Sequence, residues 1–259
     1  TGHHDVIGDN GTLTYDAGAL REMTSDHPVD GGADSITLAG EAHRVIAGSD
    51  NDTLTITSAT STDHIMGDNG TMTYSGSEGD EQLVTAQSDL AENSGDDTIS
   101  SNDGDKVIIA GSGMDDVQIT SSNGGDRIVL GDEGSVNYSN AGAQLEVSSS
   151  SIVGGDDTID IESSVAGDQN TVIGGVGDDR IEINATSGES STDQVLGDNG
   201  QLNYDLNNTE RTLRSALSTD DSDGGHDHIE LGDGDKAVIG GIGMDTVIAG
   251  QGDHQVMGD

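Results

Sequence analysis

The stretch IGDNGTLTY at residues 7–15 returns as MGDNGTMTY at 66–74, LGDEGSVNY at 130–138 and LGDNGQLNY at 196–204. With the closing VMGD included, its first glycine falls at Gly8, Gly67, Gly131, Gly197 and Gly258, in steps of 59, 64, 66 and 61 residues. Self-similarity at a long, nearly fixed period marks a repeat architecture, in which each unit buries its apolar face only against its neighbours. The 259 residues therefore read as a single array, 1–259, of long repeats 6–64, 65–128, 129–194 and 195–255. The closing QGDHQVMGD matches the opening TGHHDVIGD in phase, which predicts a segment of a longer array.

A shorter period lies inside the long one. Ile36, Leu54 and Met72 follow one another at 18 residues, each at the centre of an alternating stretch: DSITL, DTLTI, GTMTY. The series continues at Ile99, Val117 and Val136, at Ile159, Ile181 and Leu202, and at Ile229 and Val247. Alternation over a few residues, bounded by Gly and Asp, is the pattern of a half-buried strand. A second apolar set, such as Val45–Ile46 and Ile65–Met66, falls between. Two strand families offset by half a step predict a flattened coil. The expected fold is all-β, a parallel β-roll or β-solenoid with about three turns per repeat of 59–66 residues. The third turn is expanded by inserts at 16–30, 75–94, 139–153 and 205–223. Their Leu20, Leu83, Leu145 and Leu213 either supply a missing strand or pack over it, and NNTERTLRSALS also fits a short helix. The only aromatics are Tyr15, Tyr74, Tyr138 and Tyr204, one per GD-x-G segment. Each is expected to point inward at the end of its strand and plug the gap where the chain leaves for an insert.

Charge decides what else such a chain needs. There are 50 acidic residues against 8 basic ones, a net charge of -42, with no Phe, Trp or Cys. Low hydrophobicity with high net charge is also the signature of disorder, but disorder does not demand evenly spaced Val, Ile and Leu clusters. A compact form requires that the negative charge be neutralised. Cations are the natural partner, and nucleic acid is excluded because phosphate needs Lys and Arg. Without Cys there are neither disulfides nor thiolate metal sites. No apolar run is long enough for a membrane helix. No H-E-x-x-H, G-x-S-x-G or Walker loop is present, so no enzyme is expected.

The loops carry the chemistry. Residues 174–182 read GGVGDDRIE and 240–248 read GGIGMDTVI; 110–118 (AGSGMDDVQ), 47–55 (AGSDNDTLT) and 249–257 (AGQGDHQVM) are variants. Shorter forms, GGADSI, GDDTI, GGDRI, GGDDTI and GGHDHI, keep an Asp two places before an aliphatic residue. This pattern, G-G-x-G-x-D-x-U-x with U aliphatic, resembles the repeats-in-toxin family, the haemolysin-type calcium-binding nonapeptide. The resemblance covers nearly the whole chain apart from the inserts. It implies Ca²⁺ held between successive turns of a parallel β-roll. The implied carboxylate ligands are Asp34, Asp52, Asp97, Asp115, Asp126, Asp157, Asp179, Asp227 and Asp245. The implied carbonyl ligands are Gly111, Gly113, Gly175, Gly177, Gly241 and Gly243. Elementary chemistry runs the same way. Gly allows positive φ and close approach to an ion, and Ca²⁺ takes six to eight hard oxygens from carboxylates and carbonyls.

Asp9, Asp68, Asp132 and Asp198 of the GD-x-G segments depart from the nonapeptide and read mainly as corner-turn residues, with an extra ion site as the second reading. His226 and His228 share one strand face, but two ligands are too few for a transition metal. Thr53, Thr55, Thr71 and Thr73 resemble the flat ladder of an ice-binding surface, which breaks at Asp116 and Gln118. The expected function is structural: a calcium-stabilised, acidic segment of a long secreted or cell-surface bacterial protein, serving as stalk, matrix fibre or filament subunit of adhesin type. The competing readings are a module that binds ice or carbohydrate, and the secretion module of a toxin or protease. Expected partners are calcium ions and, end to end, a second copy or neighbouring repeats of the same chain.

Overall fold

The computed structural model describes residues 2–25, 31–58, 60–89, 95–139, 143–149, 152–185, 190–207, 210–219 and 224–258. The described residues are all-β, in three sheets. Two sheets are parallel and one is antiparallel, and in all three the spatial order of strands is their order along the chain.

The first parallel sheet has nine strands, from His4–Ile7 and His43–Ile46 through Lys106–Ile109 and Arg127–Leu130 to His254–Met257. Several end in a short apolar run, and HRVI, DHIM, KVII and RIVL are buried at every position. Continuous runs of this kind belong to a sheet covered on both faces. Val45, Ile65, Ile108, Val129, Val172, Val195 and Val238 face one core, and Ile46, Met66, Ile109, Leu130, Ile173 and Leu196 face another. This is the middle layer.

The second parallel sheet has eight strands, among them Thr53–Ser58, Asp116–Ser121, Thr158–Ser163 and Arg180–Ala185. Here burial alternates strictly, with Leu54 and Ile56 inside and Thr53, Thr55 and Thr57 outside. One face packs on the middle sheet through Leu54, Ile99, Val117, Ile159, Ile181 and Ile229; the other meets water. This is the outer sheet.

The antiparallel sheet closes the opposite face. It consists of four hairpins: Gly11–Asp16 with Ala19–Ser25, Gly70–Ser75 with Gln82–Ser88, Gly134–Ser139 with Gln144–Ser149, and Gly200–Asn207 with Glu210–Ser218. The first turns through Ala17 and Gly18, both at positive φ, as a two-residue turn of type I′ requires.

The expectation of three turns per repeat is therefore corrected. Each long repeat supplies two strands to each parallel sheet, and the third passage is a hairpin. Met72, Val136 and Leu202 belong to the hairpin sheet, not to the family of Ile36 and Leu54. The inserts supply the returning hairpin strands, and the segment around Leu213 is a strand, not a helix. Their parts at 26–30, 90–94, 140–142, 150–151, 208–209 and 220–223 lie outside the described residues.

The tyrosines sit opposite the insert leucines: Tyr15 on Leu20, Tyr74 on Leu83, Tyr138 on Leu145 and Tyr204 on Leu213. Such aromatic–aliphatic cross-strand pairs stabilise a sheet. Tyr74 and Tyr204 are buried between the hairpins and the middle sheet, where their hydroxyls meet His64 Nδ1 at 3.1 Å and Thr171 Oγ1 at 2.9 Å. Tyr15, on the edge strand, is half exposed and donates to Asp5 Oδ2 at 3.0 Å.

A middle sheet buried on both faces makes a direct prediction. Ile108→Ala and Ile109→Ala, adjacent but facing opposite cores, each cost about 2–5 kcal/mol, whereas Gln118→Ala on the outer face changes stability by less than about 0.5 kcal/mol. Denaturant unfolding checks this; a neutral Ile109→Ala would show that the hairpins do not cover the middle sheet.

Candidate metal centre

The core between middle and outer sheets has two polar edges, and they are built differently. At one edge the outer strands end and the middle strands begin. There the chain places its own cations. Lys106 Nζ meets Asp63 at 3.1 Å and Lys236 Nζ meets Asp193 at 2.6 Å, with all four side chains fully buried. Arg127 pairs with Asp168 at 2.5 Å. On the opposite face of the middle sheet, towards the hairpins, Arg44 lies over the Tyr74 ring and pairs with Asp5 at 3.1 Å and Glu81 at 3.3 Å. Parallel register sets Asp63 beside Lys106 and Asp193 beside Lys236. A buried charge needs such a partner, because its desolvation is otherwise uncompensated.

At the other edge the middle strands end, the Gly-rich turns come next, and the outer strands begin. Eight aspartates form one row here. The backbone N–H of Asp34 donates to Asp52 Oδ1 (2.6 Å), Asp52 to Asp97 (2.7 Å), Asp97 to Asp115 (2.7 Å) and Asp115 to Asp157 (2.8 Å). Asp157 donates to Asp179 (2.9 Å), Asp179 to Asp227 (2.9 Å) and Asp227 to Asp245 (3.1 Å). Each row aspartate lies one residue before an outer strand, so parallel register brings the carboxylates into line. One oxygen is thus used. The other, Oδ2 of Asp52, Asp97, Asp115, Asp157, Asp179 and Asp227, is buried without a hydrogen-bond partner. Among the described residues no ion pair reaches the row.

Charge and burial act together along the row. Burial, reinforced by neighbouring carboxylates, pushes Asp52 and Asp227 up to about 7, Asp97 and Asp115 to about 8, and Asp157 and Asp179 to about 10. The unused oxygens face backbone. A Cβ on Gly67 would collide with both Asp97 Oδ2 and Ala110 O, and one on Gly197 with Asp227 Oδ2 and Gly240 O. Carboxylate and carbonyl oxygens thus share the same cramped space, a hard-oxygen donor set of the kind Ca²⁺ takes.

The structure brings eight of the nine expected aspartates together and leaves one out. Asp126 stands at the opposite edge, because GGDRI precedes a middle strand, Arg127–Leu130, rather than an outer one. Its N–H donates to Asp105 Oδ1 at 2.9 Å, and its own Oδ1 accepts from Gln169 N at 3.0 Å. It borders a cleft of about 910 Å³ that Arg44, Glu81, Tyr138 and Arg211 also line.

The expected glycines all have positive φ, and all but Gly175, which closes the middle strand Gln169–Gly175, lie in the turns. Gly113, Gly177 and Gly243 rest against the carbonyls of Gly95, Gly155 and Gly225 in the neighbouring turn. Gly111, Gly175 and Gly241 pack against Asp68, Asp132 and Asp198. These GD-x-G aspartates are more than corner turns. Asp9 accepts from Ser49 N (2.7 Å), Asp68 from Ser112 N (2.8 Å) and Asp132 from Val176 N (2.5 Å), and Asp198 accepts from Ile242 N. Asp68, Asp132 and Asp198 are buried, and burial pushes Asp68 and Asp132 up to about 9. Asp68, Asp132 and Asp198 each stand 44 residues before the turn residue whose N–H they accept, and Asp9 stands 40 before its own, which is the sequence signal for this second set.

A separate trio, Glu182, His228 and Glu230, brings its ligand atoms within 4.8 Å of one another on the outer face. Arg180 already pairs with Glu182, and His226 instead accepts from Met244 N at 2.7 Å.

Scans of this chain against family models, curated proteins and solved structures each find no match.

The row predicts a pH dependence in metal-free protein. Folded-state values lie above the ordinary carboxylate value of 3.8, so between them the native state binds more protons than the unfolded one. Stability then falls as pH rises. EDTA-treated protein should retain more β signal by circular dichroism at about pH 5 than at about pH 8.5, and Asp157→Asn with Asp179→Asn should flatten the difference. Equal β signal for wild type at the two pH values would count against buried, unpaired carboxylates.

Proposed function

We propose that this chain is a calcium-stabilised β-solenoid segment of a long secreted or cell-surface bacterial protein, with a structural role as stalk, matrix fibre or filament subunit. One observation carries the reading. The Lys and Arg side chains that neutralise buried carboxylates sit at one edge of the core, while six buried Oδ2 atoms at the other edge lack any partner. Where these carboxylates ionise, the compensating charge comes from outside the chain, and a bound cation would displace the protons that burial otherwise retains.

The donor set fits a hard divalent cation. Asp34, Asp52, Asp97, Asp115, Asp157, Asp179, Asp227 and Asp245 would hold it, together with carbonyls of the Gly turns. Asp126 would not. Bound calcium would supply positive charge between successive turns, and nothing in this role requires catalysis. The strict chain order of strands in both parallel sheets supports the solenoid reading.

Ion binding to the folded state alone stabilises it by mass action, about 2.7 kcal/mol per site when free ion is 100 times Kd. In low cytosolic calcium such a chain stays unfolded and exportable; outside the cell it folds. Neighbouring repeats or a second copy would pair with the edge strands His4–Ile7 and His254–Met257.

The ice-binding alternative gains nothing from the register. Ser35–Thr37, Thr53–Thr55 and Thr98–Ser100 align, but the next strand brings Asp116 and Gln118. Thr71 and Thr73 lie on the hairpin sheet.

Calcium titration into EDTA-treated protein, followed by far-ultraviolet circular dichroism, tests the proposal. A cooperative gain of β signal is expected at roughly 0.1–1 mM. A full β signal that neither chelation nor calcium alters would refute the ion-stabilised reading.

A further inference from the structure

We propose that the third GD-x-G turn, at Asp132–Glu133, forms a distinct divalent-cation site of higher affinity than the rest, built from Asp132, Glu133, Asp157 and Asp115. This rests on the reading of the chain as cation-stabilised and names the place where that is strongest. In the other three turns the residue after the aspartate is Asn10, Asn69 or Asn199; here it is Glu133. The substitution reverses a contact. Asn69 Nδ2 donates to Ser49 Oγ at 2.8 Å, whereas Ser112 Oγ donates to Glu133 Oε1. A neutral donor is thus replaced by a buried anion.

All four carboxylates are buried, with exposures of 0% for Asp132, 4% for Glu133, 1% for Asp157 and 2% for Asp115. Asp132 Oδ1, Asp157 Oδ2 and Asp115 Oδ2 have no hydrogen-bond partner. The groups are close. Glu133 repels both Asp115 and Asp132, and Asp157 feels both Asp115 and Asp132. Gly131, immediately before Asp132, faces Asp157 Oδ2 and Gly174 O, and Gly154 faces both oxygens of Asp132. Among the described residues no Lys or Arg forms an ion pair with Asp115, Asp132 or Asp157.

Buried anions in such a cluster cannot persist without positive charge. The donors are all oxygen, which selects a hard cation. Several carboxylates with neighbouring carbonyls suit Ca²⁺ better than Mg²⁺, which keeps much of its water. Ca²⁺ affinity rises with ligand charge, so the turn carrying an extra carboxylate should bind first.

Isothermal titration of Ca²⁺ into the EDTA-stripped full chain tests this. In wild type, a first step of one ion per chain is expected, at least about tenfold tighter than the remainder, equivalent to about 1.4 kcal/mol. Glu133→Asn, which installs the residue of the other turns, and the isosteric Glu133→Gln should abolish that step and keep the weaker sites and the calcium-dependent β signal. Asn69→Glu, which builds the same donor set one repeat earlier, should gain a second tight ion and decides the matter if neither Glu133 variant folds. A tight step that survives both Glu133 substitutions, a single class of equal sites in wild type, or an Asn69→Glu chain with no added tight ion overturns the inference. Wild type that binds no Ca²⁺ overturns the cation reading with it.

Discussion

A carboxylate withdrawn from water with no cation beside it is among the most expensive features a fold can carry. Here six stand in one file along the edge of a thin core, each with one oxygen tied to the backbone and one left over. The file is not an accident of the turns. Parallel strands in register place equivalent residues side by side, so an aspartate repeated before every outer strand has to form a row. The apolar core of Val, Ile and Leu is too thin, and too poor in aromatics, to make that burial trivial. At the opposite edge, where Lys106 and Lys236 meet Asp63 and Asp193, the chain neutralises buried charge because it carries the means.

Strand existence is legible in the sequence to a large degree, because period-2 alternation in DTLTITS or DTIDIES is the mark of a half-buried strand. The layer count is harder to read, although its signal is present. After their leading Lys106 and Arg127, KVII and RIVL continue as unbroken apolar triplets, and unbroken runs mean two covered faces. The 18-residue spacing of Ile36, Leu54 and Met72 masks this, because Met72 keeps the step while belonging to a different sheet. Spacing along a chain does not say which way the chain turns at a corner.

The site divides the same way. Eight aspartates are legible because their motif repeats. Asp126 is misplaced by the same motif, because an Asp two places before an aliphatic residue looks identical in front of middle and outer strands. The residues after the aspartate distinguish the two cases: RIVL after Asp126, alternating TIDIES after Asp157. Asp68, Asp132 and Asp198 read mainly as corner residues in sequence because their partners are turns 44 residues away, a separation that local pattern does not reach.

The hairpins change how length is stored. Each long repeat adds two strands to a parallel sheet, and neighbouring strands are about 4.8 Å apart. One repeat therefore advances the stack by about 10 Å, while its 59–66 residues, drawn out at about 3.4 Å each, would reach about 200 Å. Under tension a single repeat pulled free of its neighbours would lengthen its own stretch about twentyfold, so an array of this construction would store length as well as hold it.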